Sequence, residues 1–358
     1  MFGDYADDYP REVIIKKALR KQGVSVLECN CKIKHSKHGR GNVLFYLPKL
    51  YYCLIQKVRA LDGAFDYFLI PQNNRLVVPL AFLLSRLLNK QVIIDAFDIA
   101  EETALLRGRS RVEAKLRFWI EKMALRLADR VLALTEEFKK QYVQLHNLDP
   151  SKVAILHPGA DEAKFSYLER PSTEGDDFLV LYWGNYLPHH GVSTIIQAAE
   201  LLTEHQDICF VLAGDGFEHQ QIECFVREKN LNQVGLVGFI PDKQLMDLIA
   251  DAHVCLGVFS TNIKAQCSIT NKVSEAMAVG RAVITTESPA TKRIFKNRDE
   301  IYLVPPENPH ALADAILALK VDPSLRLRLE KKGREYYEKH FSEKALGQRL
   351  VDILQELG

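Results

Sequence analysis

"FLVLYWGNYLPHHGVSTIIQAAELL", residues 178–202, passes from six apolar residues through a short turn into a helical pattern. A buried strand, a glycine turn and an amphipathic helix in that order make half of a βαβ unit. Apolar residues at 192, 195, 196, 199 and 202 carry the helical period. Gly184 and Gly191 let the backbone come close to whatever occupies the turn. The helix start offers unbonded amides and the positive end of a dipole, where α/β proteins hold phosphates. No lysine or arginine stands in this turn; His189 and His190 do.

Outward from this stretch the pattern repeats. Strands are expected at 24–28, 67–70, 92–95, 131–134 and 153–156, then at 178–183, 208–213, 235–239, 253–258, 282–286 and 301–304. Helical patterns separate them, near 10–22, 45–61, 111–129, 135–146, 192–204, 218–229, 242–250, 272–279, 308–319 and 323–339. Near-continuous apolar strands alternating with helices predict parallel sheets covered on both faces. The two series break at KFSYLERPSTEGDD (164–177), polar and linker-like. The expected fold class is therefore α/β: two doubly wound, Rossmann-like domains facing across a cleft, with ligands at the carboxyl ends of the strands. Expected limits are 1–165 and 178–340, with a last helix at 341–358 returning to the first domain. The turn FGDY follows Met1 directly, so the strand feeding it is expected to be nearly absent, as a truncated or late-assigned start would leave it.

Bulk properties narrow the class. A chain of 358 residues suits two domains, and a net charge of +1 argues against whole-surface binding to nucleic acid. Seven cysteines form no CxxC pair, and Cys209 and Cys255 lie in apolar strands, so free buried thiols in a reducing cytosol are expected. The start, MFGDYADDYPRE, has no leader pattern, and LVVPLAFLLSRLL (76–88) is too short to span a bilayer.

Three further motifs follow at strand ends. AGDGF (213–217) supplies Gly214 and Gly216, and GFIP (238–241) leaves Phe239 and Ile240 free to read a base edge. SITNKVSEAMAVGRAVIT (268–285) is the most informative. Asn271 can cap the helix, and Lys272 and Glu275, three apart, share one face. An ammonium there suits a diphosphate and a carboxylate suits paired ribose hydroxyls.

In this order GNYLPHHG, AGDGF, GFIP and EAMAVGRAVIT resemble the retaining family-four glycosyltransferases of the GT-B fold. The resemblance runs from about residue 11 to the C-terminus and is weaker in the first half, at LADRVLALTEEF and ILHPGADEAKF. It implies a sugar transferred from a nucleotide-diphosphate sugar, with retention, without cofactor or metal; no Asp-x-Asp motif lies near the site. It implies donor binding by Gly3, Gly184, Asn185, Gly191, Gly214, Gly216, Phe239, Ile240, Asn271, Lys272 and Glu275, with His190, Lys272 and Asp98 as the catalytic set. The chain departs from the family at three positions: Asn185 replaces an arginine, His190 a lysine and Cys267 a first glutamate. A variant pattern, N-K-x-x-E, is closer, with Lys272 supplying the phosphate charge and His190 assisting if the diphosphate raises its pKa.

The resemblance implies that the first domain holds the acceptor. DAFDIAEET (95–103) places Asp95 and Asp98 at a strand end, where Asp98 either orients a hydroxyl or caps the next helix. Residues 32–59 hold seven lysines or arginines and no acid, interleaved with aromatics. That suits a peripheral contact with an anionic membrane and a lipid-linked acceptor, or else a helix with solvated lysines. The expected location is cytoplasmic, at the inner face of the membrane. The competing reading is a nucleotide-sugar-binding or scaffold subunit that has lost its catalytic cations; a nucleotide-sugar epimerase is a third.

Overall fold

Parallel strands need crossover connections, and helices supply them along the whole chain. A computed structural model describes residues 1–33, 43–72, 74–169 and 177–357. The chain divides into two units, Met1–Leu156 with Leu346–Gly358, and His157–Ala345. In the first unit, β1 (Phe2–Gly3) pairs with β2 (Cys29–Asn30) in parallel. A second parallel sheet orders β3 (Tyr67–Ile70), β4 (Gln91–Asp95), β5 (Arg130–Ala133) and β6 (Val153–Ile155) side by side. Ile93, Leu132 and Ala154 from that sheet pack with Ile14 and Ala18, and with Leu346, Leu350 and Ile353 of the last helix, Glu343–Gln355.

The second unit adds β7 (Phe178–Trp183), β8 (Ile208–Ala213), β9 (Val234–Gly238), β10 (Val254–Leu256), β11 (Ala282–Thr286) and β12 (Tyr302–Val304). All are parallel, in the order β12-β11-β10-β7-β8-β9. Alternation sorts the side chains of β7: Phe178, Val180 and Tyr182 enter one apolar cluster, Leu181 and Trp183 the other. Both faces are therefore covered, as the unbroken apolar runs predict. Strand order reverses between β7 and β10, and such a switch point opens a crevice outside the strands' carboxyl ends. The turn 184–191 follows β7 there, and the loop after β10 leads to the helix Asn271–Val279.

Two expectations are corrected. Residues 24–28 form no strand; pairing begins where the Met1 ammonium donates to the Leu27 carbonyl, and Val24, Val26 and Leu27 instead line an apolar cavity of about 400 Å³ with Phe68, Leu132 and Leu350. Cys31 and Cys53 form a disulfide, so not every thiol is free; Cys255 is buried and Cys209 half-buried. The helix Val43–Ala60 turns the aliphatic Leu50, Leu54 and Val58 into the core, while Tyr52 is exposed and Tyr46 and Tyr51 are half-buried. Residues 34–42 of that basic stretch, and 170–176 of the expected linker, lie outside the described residues.

Candidate functional site

The two glycine turns are built into each other. Gly184 N–H donates to the Ala213 carbonyl at 2.8 Å, and Tyr186 N–H to the Asp215 carbonyl at 2.9 Å. A Cβ on Gly214 would lie 1.9 Å from the Gly184 oxygen, and one on Gly216 2.6 Å from Tyr186 N. These glycines are thus required by the packing of turn on turn. Gly191, with φ +66°, stands at the N-cap of the helix Val192–Leu201 against the backbone of Phe259 and Ser260. No side chain caps that helix, and none caps Asn271–Val279, so both starts keep amides for an anion.

Lys272 brings its charge to this backbone. A Cβ on Gly184 would meet Lys272 Nζ at 2.8 Å, and that Nζ lies 5.1 Å from the Tyr182 ring centre. The residue is 8% exposed and makes no salt bridge among the described residues. Burial lowers its ammonium to about 8, with Glu275 pulling the other way. Glu275 is buried too; burial raises its carboxyl, while Trp183 Nε1–H, donating at 2.9 Å, and Lys272 partly offset this. The N-cap is Thr270, not Asn271 as expected: Asn271 is the first helical residue. Asn271 Oδ1 and Thr270 Oγ1 are buried without partners among the described residues. A cation without a salt bridge, bare amides and unused oxygens at one helix start are complementary to an anion flanked by hydroxyls.

His190 is held differently from the lysine it stands for. Its Nδ1 lies 2.5 Å from the Asn185 carbonyl and 2.9 Å from the Tyr182 hydroxyl. A carbonyl only accepts, so Nδ1 carries the proton and Nε2 of the neutral ring presents a lone pair. Burial, then Lys272 and His189, push the imidazole well below its ordinary value. In the free protein His190 is therefore a neutral strut that fixes the turn. Asn185 contributes its carbonyl, with its side chain exposed.

The structure brings Gly184, Asn185, His190, Gly191, Gly214, Gly216, Asn271, Lys272 and Glu275 to the carboxyl ends of one sheet. Phe239, 70% exposed, and half-buried Ile240 follow β9 on that sheet. Gly3 and Asp98 belong to the first unit. Gly3 faces Asn74, whose Oδ1 accepts from Asp4 N–H at 2.8 Å. Asp98 does not cap the next helix, whose N-cap is Ile99; its Oδ1 sits 2.6 Å from Arg75 Nη2, which also meets Glu121 at 2.7 Å. Asp95 accepts both Arg11 Nε–H and Nη2–H, at 3.1 and 3.0 Å. Each carboxylate is thus satisfied within its own unit. Sequence reasoning missed Trp183, Tyr182 and Lys264; Lys264 lies close enough to press on the His190 imidazole. Lys264 follows β10 at the switch point, and that position was the available signal.

Two Rossmann-like units of parallel strands, with glycine turns and a charged helix start at the strand ends of the second unit, are the architecture of the GT-B glycosyltransferases. The chain carries a glycosyltransferase family 4-like domain, residues 17–164 matching Glycosyltransferase Family 4, followed by a group 1 domain, residues 166–336 matching Glycosyl transferases group 1. It is 26% identical to the alpha-D-kanosaminyltransferase of Streptomyces kanamyceticus, over 69% of this chain and 66% of that one. It spans between half and two thirds of the length of the first curated relatives it matches. Sucrose-phosphate synthase from Thermosynechococcus elongatus superposes with a TM-score of 0.70 at 21% identity, covering 97% of this chain and 92% of that one. Anabaena HepE in complex with UDP-glucose gives 0.67 at 17%, covering 85% and 82%.

Proposed function

We propose that the protein transfers a sugar from a nucleoside-diphosphate sugar to an acceptor hydroxyl, with retention and without a metal. The observation that carries this is Lys272: a buried ammonium that makes no salt bridge among the described residues, set against Gly184 at an uncapped helix start. Glu275, one turn on, takes the ribose hydroxyls. The bond between the anomeric carbon and the diphosphate oxygen breaks, a bond to the acceptor oxygen forms on the same face, and the acceptor's proton passes to the departing phosphate. Lys272 and the amides of the two helices stabilise the charge that gathers on that phosphate, the interaction that lowers the barrier. The relative solved with UDP-glucose supports a uridine donor as the first to try. A lipid-linked acceptor belongs among those to be tried.

The test is a thermal-shift screen of UDP-, GDP-, ADP- and TDP-sugars, followed by release of the nucleotide in the presence of candidate acceptors. A ligand present at about a hundredfold its Kd stabilises by about 2.7 kcal/mol, and Lys272→Met should abolish that shift. If no nucleotide sugar stabilises the protein, the proposal fails. The neutral His190, with Asn185 and Cys267 where the family has charges, favours a second reading, a nucleotide-sugar-binding subunit. Tight donor binding without turnover on any acceptor would select it.

A further inference from the structure

The helix Arg111–Leu127 in the first unit has two apolar faces. Ala114, Glu121, Ala124 and Leu125 are buried, with Glu121 held by Arg75. Val112, Leu116, Trp119 and Met123, at i, i+4, i+7 and i+11, form one row on the opposite side. They are 79%, 59%, 61% and 42% exposed. A surface helix normally turns its polar face outward, and single exposed apolar residues are ordinary, but a continuous outward row is not. The neighbouring helix Val78–Leu88 packs against this one and exposes Leu83 and Leu87.

The flank of the row is basic. Arg111, Lys115 and Lys122 lie along one edge, and Arg107 and Arg109 precede the helix. Glu113 engages Arg109 and Arg117, whereas Arg107, Arg111, Lys115 and Lys122 have no carboxylate partner among the described residues. Lys122 Nζ lies 5.2 Å from the Trp119 ring centre, so the side chain runs along the row with its charge beside the indole. An indole at the centre of an apolar ridge, bordered by unpaired cations, matches the boundary between acyl chains and anionic headgroups. Among the described residues no helix is long and apolar enough to cross a membrane.

We propose that this ridge docks the protein on an anionic lipid bilayer. Val112, Leu116, Trp119 and Met123 enter the interface, and Arg107, Arg111, Lys115 and Lys122 meet the lipid phosphates.

The test is co-sedimentation of the full chain with phosphatidylcholine vesicles, with and without about a third phosphatidylglycerol. Binding should require the anionic lipid and weaken as salt shortens the screening length. Leu116→Ser with Trp119→Ser, and separately Lys115→Gln with Lys122→Gln, should each lower the partition coefficient about tenfold or more. Both leave the buried face intact, and an unchanged melting temperature checks that they fold. Trp119 is exposed and the other tryptophan, Trp183, is buried, so quenching of fluorescence by brominated lipids should report insertion of Trp119. Equal binding to neutral and anionic vesicles, or binding untouched by both double variants, would overturn the proposal. So would a concentration-dependent dimer, lost in Leu116→Ser/Trp119→Ser, in a protein that ignores vesicles, since that assigns the ridge to a second copy of the chain.

Discussion

An anion bound beside the Lys272 ammonium stabilises its charged form and raises it from about 8, where burial, opposed by Glu275, has set it. Affinity for a nucleoside diphosphate should therefore be greatest below that value and fall by up to about tenfold per pH unit above it. Calorimetric titration with UDP from about pH 6 to about pH 10 reads this directly, and a flat profile would remove Lys272 from the phosphate site. The stability of the free protein should move the other way. The unfolded chain holds the lysine proton up to about 10.4, so stability rises with pH between the folded and unfolded values. Lys272→Arg, charged throughout, should flatten the binding profile. His190→Ala should keep it, because the imidazole has lost its proton well below its ordinary value. Glu275→Gln should weaken donor binding by about 1–3 kcal/mol with little change in melting temperature. The spacing of Lys272 and Glu275 was legible in the sequence, since residues three apart share a helix face. The state of His190 was not: it depends on the Asn185 carbonyl and on burial, which no local pattern carries.

At the scale of elements, the turns after β7 and β8 act as one piece, because each lends its backbone to the other. Gly214→Ala forces a methyl to 1.9 Å from the Gly184 oxygen at φ +146°. It should cost about 2–4 kcal/mol in urea unfolding, and it should weaken donor binding although residue 214 need touch no ligand. Unchanged affinity in the folded variant would separate the second turn from the site. The strands and helices around these turns were readable from period and punctuation, Phe178–Trp183 most clearly. Residues 24–28 show what such reading omits. Their β-branched alternation suits a strand, yet a strand exists only where its backbone finds a partner, and here pairing starts beside Met1. The bond between Cys31 and Cys53 was likewise invisible: 22 residues of separation and no motif identify two cysteines that a helix and a short strand bring together.

At the scale of the molecule, the chain leaves the first unit at Leu156 and re-enters it at Leu346 through the continuous helix Glu343–Gln355. Leu346, Leu350 and Ile353 are nearly inaccessible there, packed with Ile14, Ala18 and Leu132. Leu350→Ala should cost about 2–5 kcal/mol. The loss should appear in hydrogen exchange of the strands Gln91–Asp95 and Arg130–Ala133, while Phe178–Trp183 stays protected. Equal loss of protection in both sheets would mean that the two units unfold together. The route of the chain also sets a schedule during synthesis. Residues 157–345 form one unbroken stretch, so their core waits for no segment outside it. Residues 1–156 must wait, their sheet unsealed on one side, until Leu346, Leu350 and Ile353 have been added. At about 5–20 residues per second that interval lasts on the order of ten seconds or more. Through all of it residues 1–156 offer bare apolar surface to chaperones, proteases and other nascent chains.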